Sequence, residues 1–381
     1  MTKDELLARV RAALPALEAQ AAASETLRRP TDAAIATLEE TGIFRMLVPK
    51  VRGGYELDVD AFLECALALG EADMSLAWVA AFLVEHNWLF CQYPESFQRE
   101  LFDGRTHVLA PAAIHGESTV AADGDGYRLS GRWRWASGAM HATWAMVGAV
   151  APGDVAPGFF ALPMEDVEID DVWHVDGLCG TGSNDLVVRD AFVPRDRVLS
   201  LASIASGQGE GARLYDAPVY ASPMVVVLMT AAGSPIVGQA RSVVRRFRDK
   251  TVARTRMGGV RSERDKTTIQ LRLALADAAV REAELVLRDV VADLMERRAA
   301  ATLADRARWA LGITRAVHGA RGAIQTILEA SGGSAHFRDD PQQRALRDAN
   351  VCVSHVAFDW DGRHELHGRL ALGLEPQALL V

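Results

Sequence analysis

The sequence predicts a mainly helical α+β protein in three parts: a helical N-terminal domain over residues 1–107, a small β domain over 108–205 and a helical C-terminal domain over 206–381. Three observations predict it. Apolar residues recur with helical spacing at both ends of the chain. Polar and apolar residues alternate between punctuating turns in the middle, and the texture changes sharply where these parts meet. In the first part Leu6, Val10, Leu14 and Leu17 fall on one helical stripe. Pro30-Thr31-Asp32 reads as a helix entry, and the stretch from Val48 to Gly54 reads as a break. A further apolar stretch runs from Phe62 through Trp88 and stops near Pro94.

In the middle part the Asp123-Gly124-Asp125-Gly126 turn leads into YRLSGRWRWASG at 127–138, where polar and apolar residues largely alternate. Short strands are expected at Thr143–Val150, Phe159–Leu162, Val167–Val175 and Leu186–Phe192, which together make a small barrel or sandwich. Residues 202–211 read as a linker. Within Thr267–Arg298, Leu271, Leu275 and Ala279, then Val286, Val290 and Leu294, recur every four residues, the period of a core-facing helix stripe. A second long helix is expected over Leu303–Ala330, closed by Ser331-Gly332-Gly333, and a third after Pro341.

Composition narrows the function. The chain has 381 residues, 49% hydrophobic and 24% charged, which is ordinary globular usage. A net charge of −9 without a lysine or arginine block argues against a nucleic-acid binder. Cys65, Cys91, Cys179 and Cys352 are scattered, with no CxxC pair, and read as reduced thiols of a cytoplasmic protein rather than a disulfide or zinc framework. Acids near the N-terminus do not fit a signal peptide. The apolar run from Met224 to Ala232 is far shorter than the ~18 residues that span a bilayer, so no membrane partner is expected.

Two motifs are set aside. Gly177–Asp185 is glycine-rich but fits neither GxGxxG nor the P-loop, and reads as a tight turn between strands. His364-Glu365-Leu366-His367 is one residue short of HExxH and reads as a solvated helix face, so no metal is expected. No GxSxG elbow supports hydrolase chemistry. Trp135 and Ser137, two residues apart on a strand, share a face and could cover a flat heteroaromatic ring while hydrogen-bonding its edge. The same residues fit a buried aromatic beside a satisfied serine.

LVPKVRGGYELD at 47–58, WRWASG at 133–138, VDGLCGTGSNDLVVRDAFVP at 175–194 and SGGSAHFRDDPQQRALRDAN at 331–350, in this order, resemble the acyl-CoA dehydrogenase superfamily over nearly the whole chain. The resemblance implies an N-terminal helical domain, a middle β-barrel and a C-terminal four-helix bundle around a flavin, in a homotetramer. Where acyl-CoA dehydrogenases usually carry a glutamate base, counted from Arg347-Asp348-Ala349, this chain has Val356, preceded by His355. A valine cannot take a proton. A histidine in this segment resembles instead the two-component flavin-dependent monooxygenases, such as the oxygenase components acting on p-hydroxyphenylacetate, steroid phenols and dibenzothiophene. That branch implies reduced flavin delivered by a separate NAD(P)H:flavin reductase, O2 as co-substrate, a C4a-hydroperoxyflavin, and hydroxylation of a phenol, indole or polyketide-like ring. The alternatives are an amine N-hydroxylase of the same branch, an acyl-CoA dehydrogenase with a relocated base, and a non-catalytic flavin-binding subunit.

The resemblance also implies roles. His355 is the acid/base, its ordinary pKa near ~6.5 suiting proton exchange at neutral pH. The hydroxyl of Ser137 meets the flavin N5 edge and Trp135 packs on the flavin ring. His86 lines the substrate pocket, or else is a core histidine bonded to backbone. Arg256 holds the flavin phosphate, with Arg254 or Arg261 as substitutes, and Gly332, Gly333 and Ser334 approach the flavin. Reduced FMN is expected, with FAD as the alternative. Ala112 stands where some relatives carry a substrate-touching serine. No arginine or lysine adjoins His86 or Trp88 in sequence, so an uncharged aromatic substrate is expected.

Overall fold

A computed structural model describes residues 1–253 and 262–376. The N-terminal helices are α1 (Lys3–Leu27), α2 (Asp32–Thr41), α3 (Val59–Ala72), α4 (Met74–Phe90) and α5 (Glu95–Leu101). Caps set their starts: Thr2 and Glu5 form a capping box on α1, and the Thr31 hydroxyl accepts from the Ala34 N–H on α2. Leu6, Val10 and Leu17 are buried, as their stripe predicts, and Leu14 packs partly against them. α4 has no solvent face at all; every residue from Met74 to Phe90 is buried.

Among the described residues eight strands follow: β1 (Ala112–Ala113), β2 (Gly116–Asp123), β3 (Gly126–Ala136), β4 (Trp144–Ala149), β5 (Gly158–Pro163), β6 (Val167–Asp170), β7 (Asn184–Pro194) and β8 (Val198–Ser200). They form two four-stranded sheets, ordered β1-β4-β5-β8 and β2-β3-β7-β6, antiparallel except for β1 on β4. The sheets close on one apolar core, including Leu129, Trp133, Val147, Phe160, Leu162 and Leu186, as a flattened barrel.

The C-terminal part holds short α6 (Leu201–Ala205) and α7 (Gly211–Leu214), then α8 (Met224–Ala253), α9 (Thr267–Arg297), α10 (Leu303–Ser331), α11 (Pro341–Val353) and α12 (Trp360–Ala371). α8 to α11 pack as a bundle, with α12 on α10 and α8 also against α3 and α4. At the α3–α8 crossing a Cβ on Gly238 would lie 2.0 Å from the Leu67 carbonyl, and one on Gly70 would lie 2.2 Å from the Pro235 carbonyl. Only glycine lets the two backbones meet there.

Four expectations need correction. Residues 202–211 are not an open linker, since α6 and α7 occupy much of the segment. The strand expected at 167–175 stops at Asp170, because the segment leaves the ladder and the backbone N–H groups of Val172 and Trp173 bond the Asn184 side chain instead. The apolar stripe of α9 faces the core only in its second half: Val290 and Leu294 are buried, but Leu271 is 59% and Leu275 64% exposed. The packed face runs instead through Ile269, Leu273, Ala276, Val280, Ala283 and Leu287, so Leu271 and Leu275 lie off it. Finally, β3 does not alternate to its end. The pairing shifts register between Trp133 and Ala136, and Trp135 has φ +69°. Trp135 and Ser137 therefore do not share a strand face, because a bulge re-aims both.

Candidate functional site

The site is organised by α4. Trp78, Phe82 and His86 recur every fourth residue and line up on one face. The Trp78 and Phe82 rings lie 5.0 Å apart and the Phe82 and His86 rings 5.6 Å apart. Trp78 is the junction. Its Nε1–H donates to Ser137 Oγ at 3.1 Å, and its ring meets the His355 ring edge-on at 5.5 Å. Ser137 and His355, named from the sequence, are thus brought together by a residue the sequence reading missed. The signal was present as Trp78, Phe82 and His86 at helical spacing, but α4 is buried on all sides, so the stripe did not stand out.

Ser137 follows the bulge that ends β3. The Gly138 N–H bonds the Thr181 carbonyl at 2.9 Å, which ties this corner to the Gly177–Asp185 turn. That turn is anchored in its own right: buried Asp348 on α11 accepts the Leu178 N–H at 2.7 Å, and a Cβ on Gly177 would sit 2.2 Å from the Arg347 carbonyl. Ser137 Oγ lies 2.8 Å from Ser183 Oγ, which lies 2.7 Å from Thr181 Oγ1, which donates to the Leu178 carbonyl at 2.8 Å. An indole N–H only donates, and a carbonyl only accepts. With both ends fixed, each hydroxyl passes its proton inward: Trp78 to Ser137, Ser137 to Ser183, Ser183 to Thr181. For Ser137 to donate outward, its own proton must turn away from Ser183.

His355 caps the single 3-10 turn Val356–Phe358 between α11 and α12, and its Nδ1 accepts the Ala357 N–H at 3.2 Å. The neutral ring therefore carries its hydrogen on Nε2. Burial pushes its pKa down to about 4, with His115 and Arg363, both positive when charged, adding to the effect. This corrects the expectation of an imidazole titrating near neutrality; His355 is a neutral hydrogen-bond donor at pH 7.

His86 is buried, and its Nδ1–H donates to the Ala110 carbonyl at 2.7 Å. Its Nε2 lies 3.4 Å from Glu85 Oε2. Burial pushes the His86 pKa down to about 4 and that of Glu85 up to about 8, so both are neutral at pH 7. Both Glu85 carboxyl oxygens lack a hydrogen bond of good geometry. The structure thus gives His86 the core-histidine arrangement: neither ring nitrogen is presented freely, and the Ala110 contact fixes the segment that leads to half-buried Ala112.

Trp135 is 57% exposed at the strand end, a flat apolar surface two residues from the Ser137 hydroxyl. Gly332 and Gly333 end α10, where an added Cβ would meet nothing within 4 Å, and Ser334 is exposed beside them. Within one chain this turn is open. Arg256, Arg254 and Arg261 lie outside the described residues. Arg363, eight residues beyond His355, was also missed by the sequence reading; it immediately precedes the His364–His367 stretch.

The chain is similar to known proteins over nearly its whole length. Residues 230–360 match the family model described as acyl-CoA dehydrogenase, C-terminal domain. The chain is 32% identical to the flavin-dependent monooxygenase oxygenase subunit HsaA of Mycobacterium tuberculosis, covering 99% of this chain and 97% of that one. It is also 32% identical to the oxygenase component of the FADH2-dependent resorcinol hydroxylase of a Rhizobium species, covering 98% and 95%. The solved structure of the 3-HSA hydroxylase from Rhodococcus sp. RHA1 superposes with a TM-score of 0.95 at 32% identity, covering 100% of both chains.

Proposed function

This chain belongs to the oxygenase components of the flavin-dependent monooxygenases, on the acyl-CoA dehydrogenase fold, and on that premise we propose that it hydroxylates an aromatic or heteroaromatic ring using reduced flavin and O2. The observation that carries the reading is the convergence of the Ser137 hydroxyl and the neutral His355 imidazole on Trp78. Bound reduced flavin supplies the electrons and activates dioxygen. The chain's own residues do the rest. With flavin bound, Ser137 would turn its hydroxyl toward the flavin edge, Trp135 would cover the ring, and His355 would offer Nε2–H to the substrate oxygen. Val356 beside it offers no base, and the α-proton abstraction of an acyl-CoA dehydrogenase has no carboxylate at that position.

A separate NAD(P)H:flavin reductase supplies the flavin, in keeping with the oxygenase-component names of the relatives. The four cysteines are free and buried, which supports a reducing, cytoplasmic setting. Leu271 and Leu275, exposed on α9 in one chain, support a homotetramer in which another copy covers them; light scattering at ~41 kDa would refute it. Mixing the reduced flavin complex with oxygen in a stopped-flow instrument tests the core of the reading. An oxygen-dependent transient near ~380 nm is expected, and plain flavin reoxidation without it overturns the proposal. Titrating FMN and FAD in reduced form decides between FMN and the FADH2 used by the resorcinol hydroxylase.

A further inference from the structure

We propose that Arg363 is the anion-recognising residue of the substrate site: beside His355 it receives a carboxylate carried by the aromatic substrate. The inference rests on the monooxygenase reading and narrows its substrate class. His355 and Arg363 close on the same residue. The Ala357 N–H donates to His355 Nδ1 at 3.2 Å, and the Ala357 carbonyl accepts from Arg363 Nε at 3.0 Å. Both side chains therefore flank the one 3-10 turn at 356–358.

Their remaining polar edges are all donors: Nε2–H on His355, and Nη1 and Nη2 on Arg363. The Ala357 carbonyl is the partner of Arg363 among the described residues, and no carboxylate reaches it within ion-pair distance. Asp359, one turn earlier, attracts it only from farther away. A half-buried guanidinium without a carboxylate is unusual, since losing water around a charge is costly unless an anion replaces it. His115, from the loop between β1 and β2, adds a second basic group acting on His355. A planar donor fork beside an imidazole N–H matches a carboxylate and offers nothing special to a neutral ring.

A flavin phosphate has the same chemistry as a source of anionic oxygen. The substrate is favoured because Arg363 shares its turn with His355, and the His355 ring packs on Trp78, which holds Ser137. This is the ring end of the site, whereas a flavin phosphate hangs at the far end of its ribityl chain.

The test uses flavin-free protein, so it is independent of oxygen chemistry. Tryptophan fluorescence or calorimetry would compare acid and amide pairs at pH 7: 4-hydroxybenzoate with 4-hydroxybenzamide, phenylacetate with phenylacetamide, and indole-3-acetate with indole-3-acetamide. FMN and riboflavin would be titrated in parallel. The wild type should prefer the acid by about tenfold or more in at least one pair. Arg363→Met should abolish that preference with amide affinity unchanged, and Arg363→Lys should retain part of it. The FMN-over-riboflavin preference should be the same in wild type and Arg363→Met. Absence of acid preference in every pair overturns the proposal, and so does equal loss of acid and amide binding in Arg363→Met. Loss of the FMN preference instead would assign the anion to the flavin phosphate and also overturn it.

Discussion

Replacing Glu85 by glutamine should change how stability depends on pH, and the size of the change can be worked out beforehand. Glu85 is fully buried on α4, and burial pushes its pKa from the ordinary 4.5 up to about 8. Between those values the unfolded chain has lost the proton and the folded chain keeps it. Stability from this group therefore falls as pH rises through that window. At about 1.4 kcal/mol per pH unit, the full span corresponds to about 5 kcal/mol. His86 works in the opposite sense lower down, because its pKa is pushed from 6.5 to about 4 and stability is lost as pH falls through that range. From pH 6.5 to 8 Glu85 acts without that opposition, and its share there is about 2 kcal/mol. Equilibrium urea unfolding of wild type and Glu85→Gln at half-unit steps from pH 6.5 to 8 would measure it. The wild type should lose about 2 kcal/mol relative to the variant across the series. A constant difference between the two would refute the reasoning, because it would mean Glu85 is ionised in the folded state throughout.

Ser137→Ala should raise hydrogen peroxide release relative to product about tenfold or more, since one hydrogen bond at the reacting end is lost. Ser183→Ala should stay near the wild-type ratio, because it removes only the inward acceptor of the Ser137 proton; equal uncoupling in both variants would refute the relay direction. His355→Ala should slow product formation by about 10²–10⁴. In the wild type the limb belonging to His355 should lie near pH 4, with a flat profile from 5.5 to 8, and a limb near 6.5 that disappears in the variant would contradict the burial argument. Trp78→Phe keeps a ring against His355 and removes the N–H to Ser137, so peroxide yield should rise while binding of an uncharged phenol, followed by calorimetry, changes by less than about threefold.

Much of the architecture was legible because periodicity reports burial. The Leu6–Leu17 stripe, the Thr31 cap and the helix ending at Gly332 leave local signals that tertiary packing did not override. Signals failed where a partner outside the local pattern decided the outcome. Leu271 and Leu275 have helical spacing, yet the packed face at that end of α9 runs through Ile269, Leu273 and Ala276. Trp135 and Ser137 have strand spacing, but a bulge with a left-handed residue breaks it. Ser137 and His355 came from family resemblance, and their meeting could not have been read locally. They stand on different parts of the chain and are joined through Trp78, on a helix whose uniform burial hides its functional face. Arg363 escaped notice because the sequence was searched for cations beside His86 and Trp88, whereas the reacting groups gather at the other end of the Trp78–Phe82–His86 row.

That row also explains how donors are distributed around the site. Nearly every polar side chain in the last turns of α4 cross-links it to something else. His86 holds the Ala110 carbonyl, Asn87 holds both the N–H and the carbonyl of Val108 at 2.9 Å, and the Trp88 Nε1–H reaches the Val219 carbonyl at 3.0 Å. The first residues of the β domain are thus clamped onto α4, and the wall that continues through Ala110 and Pro111 to Ala112 inherits its position from that helix. At Ala112 the wall carries a methyl group, which offers no hydrogen bond. Hydrogen-bond donors stand instead at the 356–358 turn, where His355 and Arg363 share Ala357. Recognition of a polar group by the helical bundle, with the β domain supplying an apolar wall and the Ser137 hydroxyl, follows from where hydrogen-bonding capacity remains unspent.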